Sequence, residues 1–176
     1  MKNVIIATAG HVDHGKTSLI KSLSDQDTDR LPEEKKRELT IDLGFAEMQL
    51  GGNRIGFIDV PGHQDFIKNM VSGVCAVDLI LLVISAEDGW MPQTEEHLQI
   101  ISYLGVKKGI VVLTKIDLVK EINLKINSIR KKLDTSVLAS SEIIPFSSKT
   151  GEGLTDLKKS ILSALKTLPK RKEEAP

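Results

Sequence analysis

Five stretches of the chain, residues 4–9, 55–59, 79–85, 110–113 and 143–146, are short, rich in β-branched side chains and almost unbrokenly apolar. Runs of this kind are strands buried on both faces. Between them, apolar residues recur at mixed three- and four-residue spacing over 17–23, 65–74, 94–104, 124–133 and 154–168. That period gives helices with one buried stripe. Strands alternating with helices predict an α/β fold, a three-layer, doubly wound and mostly parallel sheet. Residues 44–50 follow another rule: apolar and polar positions alternate, and Gly51-Gly52-Asn53 supplies turn chemistry ahead of the next strand. The resulting hairpin raises the expected sheet to six strands, with one antiparallel edge strand.

Two segments fall outside this scheme. Residues 24–42 are densely charged, contain Pro32 and offer no core-forming face; connections of that length commonly carry function. Residues 169–176 read P-K-R-K-E-E-A-P and have nothing to bury. One domain over 1–168 is therefore expected, with 169–176 an interdomain linker or chain end, as suits a chain of 176 residues without internal repeats.

Composition narrows the class. Lys and Arg together number 24, as do Asp and Glu, so the formal charge is zero, which argues against a chain built to grip phosphate backbones or anionic lipid by net charge. The single cysteine, Cys75, has no partner for an internal disulfide, and a reducing cytoplasm fits. The run at 4–9 is too short for a secretion signal, and the run at 79–86 is far below the roughly 20 residues of a membrane span. A soluble cytoplasmic monomer with no membrane partner is expected.

The chemistry begins at Gly10-His11-Val12-Asp13-His14-Gly15-Lys16-Thr17. This is the pattern G-x-x-x-x-G-K-[ST], placed between an apolar strand and a helix as a phosphate-binding loop requires. The glycines let backbone N–H groups curl around phosphates, Lys16 reaches the β- and γ-phosphates, the Thr17 hydroxyl ligates Mg²⁺, and Ser18 continues the helix N-terminus that faces the anion. His11, Asp13 and His14 lie within four residues, but side chains splaying from a loop wrapped on phosphate do not make a four-ligand metal centre.

Asp59-Val60-Pro61-Gly62-His63 follows the strand at 55–58 and so puts a carboxylate at a carboxyl strand end beside the phosphate loop. Asp59 is expected to hold Mg²⁺ through a water. Gly62 brings backbone close enough to donate its N–H to a γ-phosphate, and His63 stands at the edge of the same site. In Arg37-Glu38-Leu39-Thr40-Ile41, the Thr40 hydroxyl is placed to complete the metal shell from the long charged segment.

Thr114-Lys115-Ile116-Asp117 follows the strand at 110–113. Guanine presents two parallel donors, N1–H and the N2 amine, that match the two oxygens of the Asp117 carboxylate, whereas adenine would face it with a lone pair. Lys115 can lay its alkyl stem over the base. Ser147-Ser148-Lys149 follows the strand at 143–146 at the same sheet edge, with backbone N–H groups available to the guanine O6.

Taken in order, G-H-V-D-H-G-K-T, R-E-L-T-I, D-V-P-G-H, T-K-I-D and S-S-K resemble the G domain of translational GTPases, P-loop proteins of the elongation factor Tu group, over essentially the whole chain. Within that group, A-T-A-G-H-V-D-H-G-K-T, D-R-L-P-E-E-K-K-R, T-I-D-L-G-F and G-F-I-D-V-P-G-H look like the selenocysteine-specific elongation factors. The resemblance implies GTP and GDP as ligands, with phosphate and Mg²⁺ held by Lys16 and Thr17. It implies a magnesium switch completed by Thr40 and Asp59, γ-phosphate sensing by Gly62, and an attacking water positioned by His63. Guanine would be read by Asp117 and Ser148, a monovalent cation would sit near Asp13, and Val12 with Leu39 would form an apolar gate for His63. It further implies stimulation by the ribosome and delivery of selenocysteinyl-tRNA by a longer factor whose RNA-binding parts are absent from this chain; slow hydrolysis in isolation is expected because Arg30 and Arg37, in the charged segment, read as solvated or docking charges rather than as an arginine finger.

Three positions depart from the family pattern. Glu38 stands where the family usually has Gly, Thr114 where many GTPases have Asn, and Ser148 where Ala is common. Glu38 keeps open a nucleotide-binding module with little turnover. Another elongation-factor-Tu-like GTPase and, from a different class, a P-loop kinase or ATPase are the remaining alternatives.

Overall fold

The computed structural model describes residues 1–28, 42–62, 68, 71 and 77–168. In chain order the elements are β1 (Asn3–Ala9), α1 (Lys16–Ser24), β2 (Gly44–Leu50), β3 (Asn53–Asp59), β4 (Leu79–Ser85), α2 (Pro92–Tyr103), β5 (Gly109–Thr114), a 3₁₀ turn at Ile116–Leu118, α3 (Ile122–Leu133), β6 (Ile143–Pro145) and α4 (Leu154–Thr167). The strands form one six-stranded sheet in the order β2-β3-β1-β4-β5-β6. Among the described residues only β2 runs antiparallel, pairing with β3 from Gly44↔Asp59 to Leu50↔Asn53, and the other pairings are parallel. The expected fold class and hairpin are thus observed.

Alternation along β4 shows how the layers are held. Leu79, Leu81 and Val83 pack with Leu19, Ile20 and Leu23 of α1 and with Leu157, Ile161 and Leu165 of α4. Ile80, Leu82 and Ile84 point the other way, into Leu98 and Ile101 of α2 and Ile129 and Leu133 of α3. Every residue of β4 is buried, and each such Leu, Ile or Val contributes about 1.5–3 kcal/mol. α2 starts two residues ahead of the apolar pattern because Pro92 suits the first helical position, where no N–H partner is needed.

The sheet order reverses direction between β1 and β4, and in open α/β sheets the crevice beyond the strand ends at such a point is where ligands bind. The segments after β1, β3, β5 and β6 all leave from this edge. Most of the expected helix at 65–74 and of the charged segment 24–42, together with Cys75 and the tail 169–176, lies outside the described residues, as do the candidate residues Leu39, Thr40 and His63 and the departure at Glu38. Among the described residues no helix is long and apolar enough to cross a membrane.

Candidate functional site

The phosphate loop follows from local backbone geometry. Gly10 has φ +133°, and a Cβ there would lie 2.2 Å from the Val83 carbonyl oxygen, so the chain turns off β1 against β4 only with glycine. Asp13 and Gly15 take left-handed φ values of 61° and 90°, which curls the loop back to start α1 at Lys16. The Lys16 side chain is buried, its Nζ donating to the Gly10 and His11 carbonyls at 3.1 and 2.8 Å. Desolvation pushes its pKa down to about 8, against the opposing pull of Asp59 and Asp13. Gly62 closes on the loop from the β3 side: a Cβ there would lie 2.4 Å from Lys16 Nζ and 2.7 Å from the Val12 nitrogen. The D-V-P-G turn and the phosphate loop are therefore packed against each other, as their sequence positions require.

Behind the loop stands α2. Gly10 N–H donates to Nδ1 of His97 at 2.9 Å, and Val12 N–H donates to Oε1 of Gln93 at 3.3 Å. These two side chains sit one helical turn apart and so share a face of α2. The His97 proton must be on Nε2, since Nδ1 accepts. Burial, aided by the Lys16 charge, pushes the His97 pKa down to about 3. His14 is fully buried, and burial together with the nearby His11 pushes it to about 4, although Asp88 at 3.6 Å pulls the other way.

Both histidines have folded values below the ordinary 6.5. Between that value and about 3–4 the unfolded chain holds the extra protons, so stability falls as the pH drops through this window and is retained above it. Urea midpoints are expected to fall between pH 7 and 4.5. In a His97→Asn chain the amide oxygen still accepts from Gly10 and does not titrate, so its midpoint should fall less steeply. An identical slope would remove His97 from this role.

The Asp59 carboxylate is fully buried at the end of β3. Three hydroxyls donate to it: Thr8 to Oδ1 at 3.0 Å, and Thr17 and Thr28 to Oδ2 at 2.6 and 2.7 Å. The Thr17 pairing brings together the two described residues expected at the metal. A hydroxyl and a buried carboxylate are hard oxygen donors of the kind Mg²⁺ takes, with room in its shell for waters and phosphate oxygens. The residues present fit that ion.

At the base end, Thr114 Oγ1 donates to the His14 carbonyl at 2.6 Å, the tie to the phosphate loop that its hydroxyl permits. Lys115 has a left-handed φ of 56°, and its Nζ lies 4.0 Å from Asp88 Oδ2. Asp117 is exposed at the rim, but Ser147 Oγ donates to its Oδ1 at 2.6 Å. Ser147 is itself buried and fixed by Thr150 N–H at 3.2 Å. Ser148 and Lys149 are exposed on the same loop. The structure thus gathers the described candidates at one sheet edge.

Residue patterns had not singled out Thr8, Thr28, Gln93 or His97. Thr8 interrupts an otherwise apolar strand, which was a usable signal. Gln93 and His97 share a four-residue helical spacing, which identifies a face but not what it meets. Thr28 gives no local signal.

This site, on this sheet, is that of a P-loop nucleotide-binding domain. The profile of the elongation factor Tu GTP binding domain matches residues 1–167, and the chain belongs to that family. It is 53% identical over 158 residues to the selenocysteine-specific elongation factor of Desulfomicrobium baculatum, covering 88% of this chain and 25% of the relative. A crystal structure of bacterial selenocysteine-specific elongation factor EF-Sec superposes with a TM-score of 0.91 at 47% identity, over 96% of this chain and 30% of that one. Translation elongation factor SelB from Methanococcus maripaludis, in complex with the GTP analogue GppNHp, superposes with a TM-score of 0.85 at 36% identity, over 96% of this chain and 35% of that one. The chain spans about a quarter of the length of the Desulfomicrobium relative.

Proposed function

We propose that this chain is the GTP-binding and GTP-hydrolysing switch domain, over residues 1–168, of a factor that delivers selenocysteinyl-tRNA to the ribosome. The observation that carries the reading is the convergence, at one sheet edge, of buried Lys16, the Thr17–Asp59 pair and the tethered Asp117. The relatives' names and the nucleotide-bound SelB structure support it.

Phosphoryl transfer to water needs positioning and charge stabilisation more than covalent chemistry. Lys16 and the loop amides bind and neutralise the phosphates, and Gly62 offers a backbone N–H to the γ-phosphate. Mg²⁺, held by Thr17, Thr40 and, through a water, Asp59, would neutralise charge shared between the β- and γ-phosphates. His63 orients the attacking water and Asp13 helps hold a monovalent cation. Asp117 selects guanine, with Lys115 over the base and Ser148 N–H on O6. Turnover is slow in the isolated domain, and the ribosome completes the site.

Isothermal titration with GDP, a GTP analogue and ATP in Mg²⁺ buffer tests the phosphate and base sites together. Binding of the guanine nucleotides alone is the expected result. ATP binding equal to GTP would remove Asp117 from its role and this function with it.

A further inference from the structure

Thr28 lies after α1, outside the recognised motifs, yet it is 2% exposed and its hydroxyl is 2.7 Å from the metal-site carboxylate. Two features seat it there. Gln26 Oε1 accepts the Glu47 N–H of β2 at 3.0 Å, which lays the chain after α1 along the sheet edge. Gly44, the residue opposite Asp59 in the β2/β3 register, leaves the space: a Cβ on it would lie 2.6 Å from Thr28 Cβ and 2.9 Å from the Thr28 carbonyl oxygen.

We propose that Thr28 is a positioning residue of the magnesium site, a built-in competitor whose hydroxyl takes the place on Asp59 Oδ2 that a metal-bound water needs. The inference rests on the reading of Asp59 as a magnesium residue. A carboxylate oxygen offers two lone pairs, and those of Oδ2 are taken by Thr17 and Thr28. Thr17 stays when the ion enters, because its oxygen can ligate while its proton remains on Asp59. Thr8 is on the other oxygen and is held there by the Val60 N–H at 3.3 Å. Mg²⁺ gives up its waters reluctantly and meets such a carboxylate through a water's proton, so Thr28 is the donor that must yield. Magnesium is thereby held more weakly than Asp59 and Thr17 alone would hold it, and GDP leaves more readily at limiting Mg²⁺.

The test is the release rate of a fluorescent GDP analogue as a function of free Mg²⁺. Thr28→Val keeps the buried shape and removes the donor. Its half-saturating Mg²⁺ is expected to fall about three- to tenfold, the equivalent of one net hydrogen bond, while Thr28→Ser stays near the parent. Thr28→Ala, which removes the donor without adding bulk beside Asp59, is expected to shift in the same direction as Thr28→Val and stands in should that chain fold poorly. An unchanged or raised midpoint in Thr28→Val, or equal shifts in Val and Ser, would overturn the competitor role and leave Asp59 in place. Release that ignores Mg²⁺ in the parent chain would instead overturn Asp59 as a magnesium residue, and Thr28 with it.

Discussion

An Asp117→Asn chain is expected to lose guanine nucleotides by about a hundredfold or more and to favour xanthosine nucleotides, while keeping its fold. The reason lies in the tether. Ser147 Oγ donates to Asp117 Oδ1, and an asparagine satisfies that hydroxyl only with its amide oxygen. The NH₂ is then left facing the base, where guanine N2 also donates. Two donors oppose each other, and two hydrogen bonds to a charged group, each worth about 1.5–3 kcal/mol, are lost. Xanthine carries an acceptor in place of that amine, so the same change favours it. Competition of GDP and XDP for the chain reads the switch directly, and an unchanged preference would sink the base assignment.

Gly62→Ala is expected to damage both nucleotide binding and stability. The added methyl would lie 2.9 Å from the His11 carbonyl carbon and 2.7 Å from the Val12 nitrogen, backbone atoms that cannot swing aside as a side-chain tip does. The phosphate loop must move, and with it the carbonyls that hold Lys16. Overpacking of this kind costs about 1–3 kcal/mol, and each kcal/mol lowers the melting temperature by about 2–4 °C in a chain of this size. GDP affinity is expected to fall at least tenfold, on the order of 1.4 kcal/mol. Calorimetry with a parallel GDP titration separates the two effects. A normal GDP affinity would show that this turn does not brace the loop.

What could be read from the sequence was what short range encodes. The apolar run at 79–85 is β4 residue for residue, and the alternation at 44–50 with Gly51-Gly52 after it is β2 and its turn. The neighbourhood of Thr17 and Asp59 was inferable because parallel strands bring their carboxyl ends to one sheet edge, where the phosphate loop and Asp59 both lie. Long-range partners were not inferable. The bond from Gly10 N–H to His97 spans 87 residues and that from Thr28 to Asp59 spans 31. Nothing near His97 or Thr28 in sequence says which polar group each will meet, since the answer depends on how α2 and the chain after α1 lie on the finished sheet. The 3₁₀ turn at Ile116–Leu118 escaped notice for a similar reason: it is set by the left-handed Lys115 and by Ile116 N–H reaching toward the Phe146 carbonyl at 3.5 Å.

The Thr114 hydroxyl on the His14 carbonyl joins the loop after β5 to the phosphate loop, so the two halves of the site share a wall. Ordering one half therefore lowers the entropy the other must lose. A nucleoside without phosphates, or pyrophosphate without a base, meets only half of a wall that stiffens as a whole, and each fragment carries the full ordering cost alone. An intact nucleotide spreads that cost over both ends, which makes this edge a detector of the whole molecule rather than of its parts.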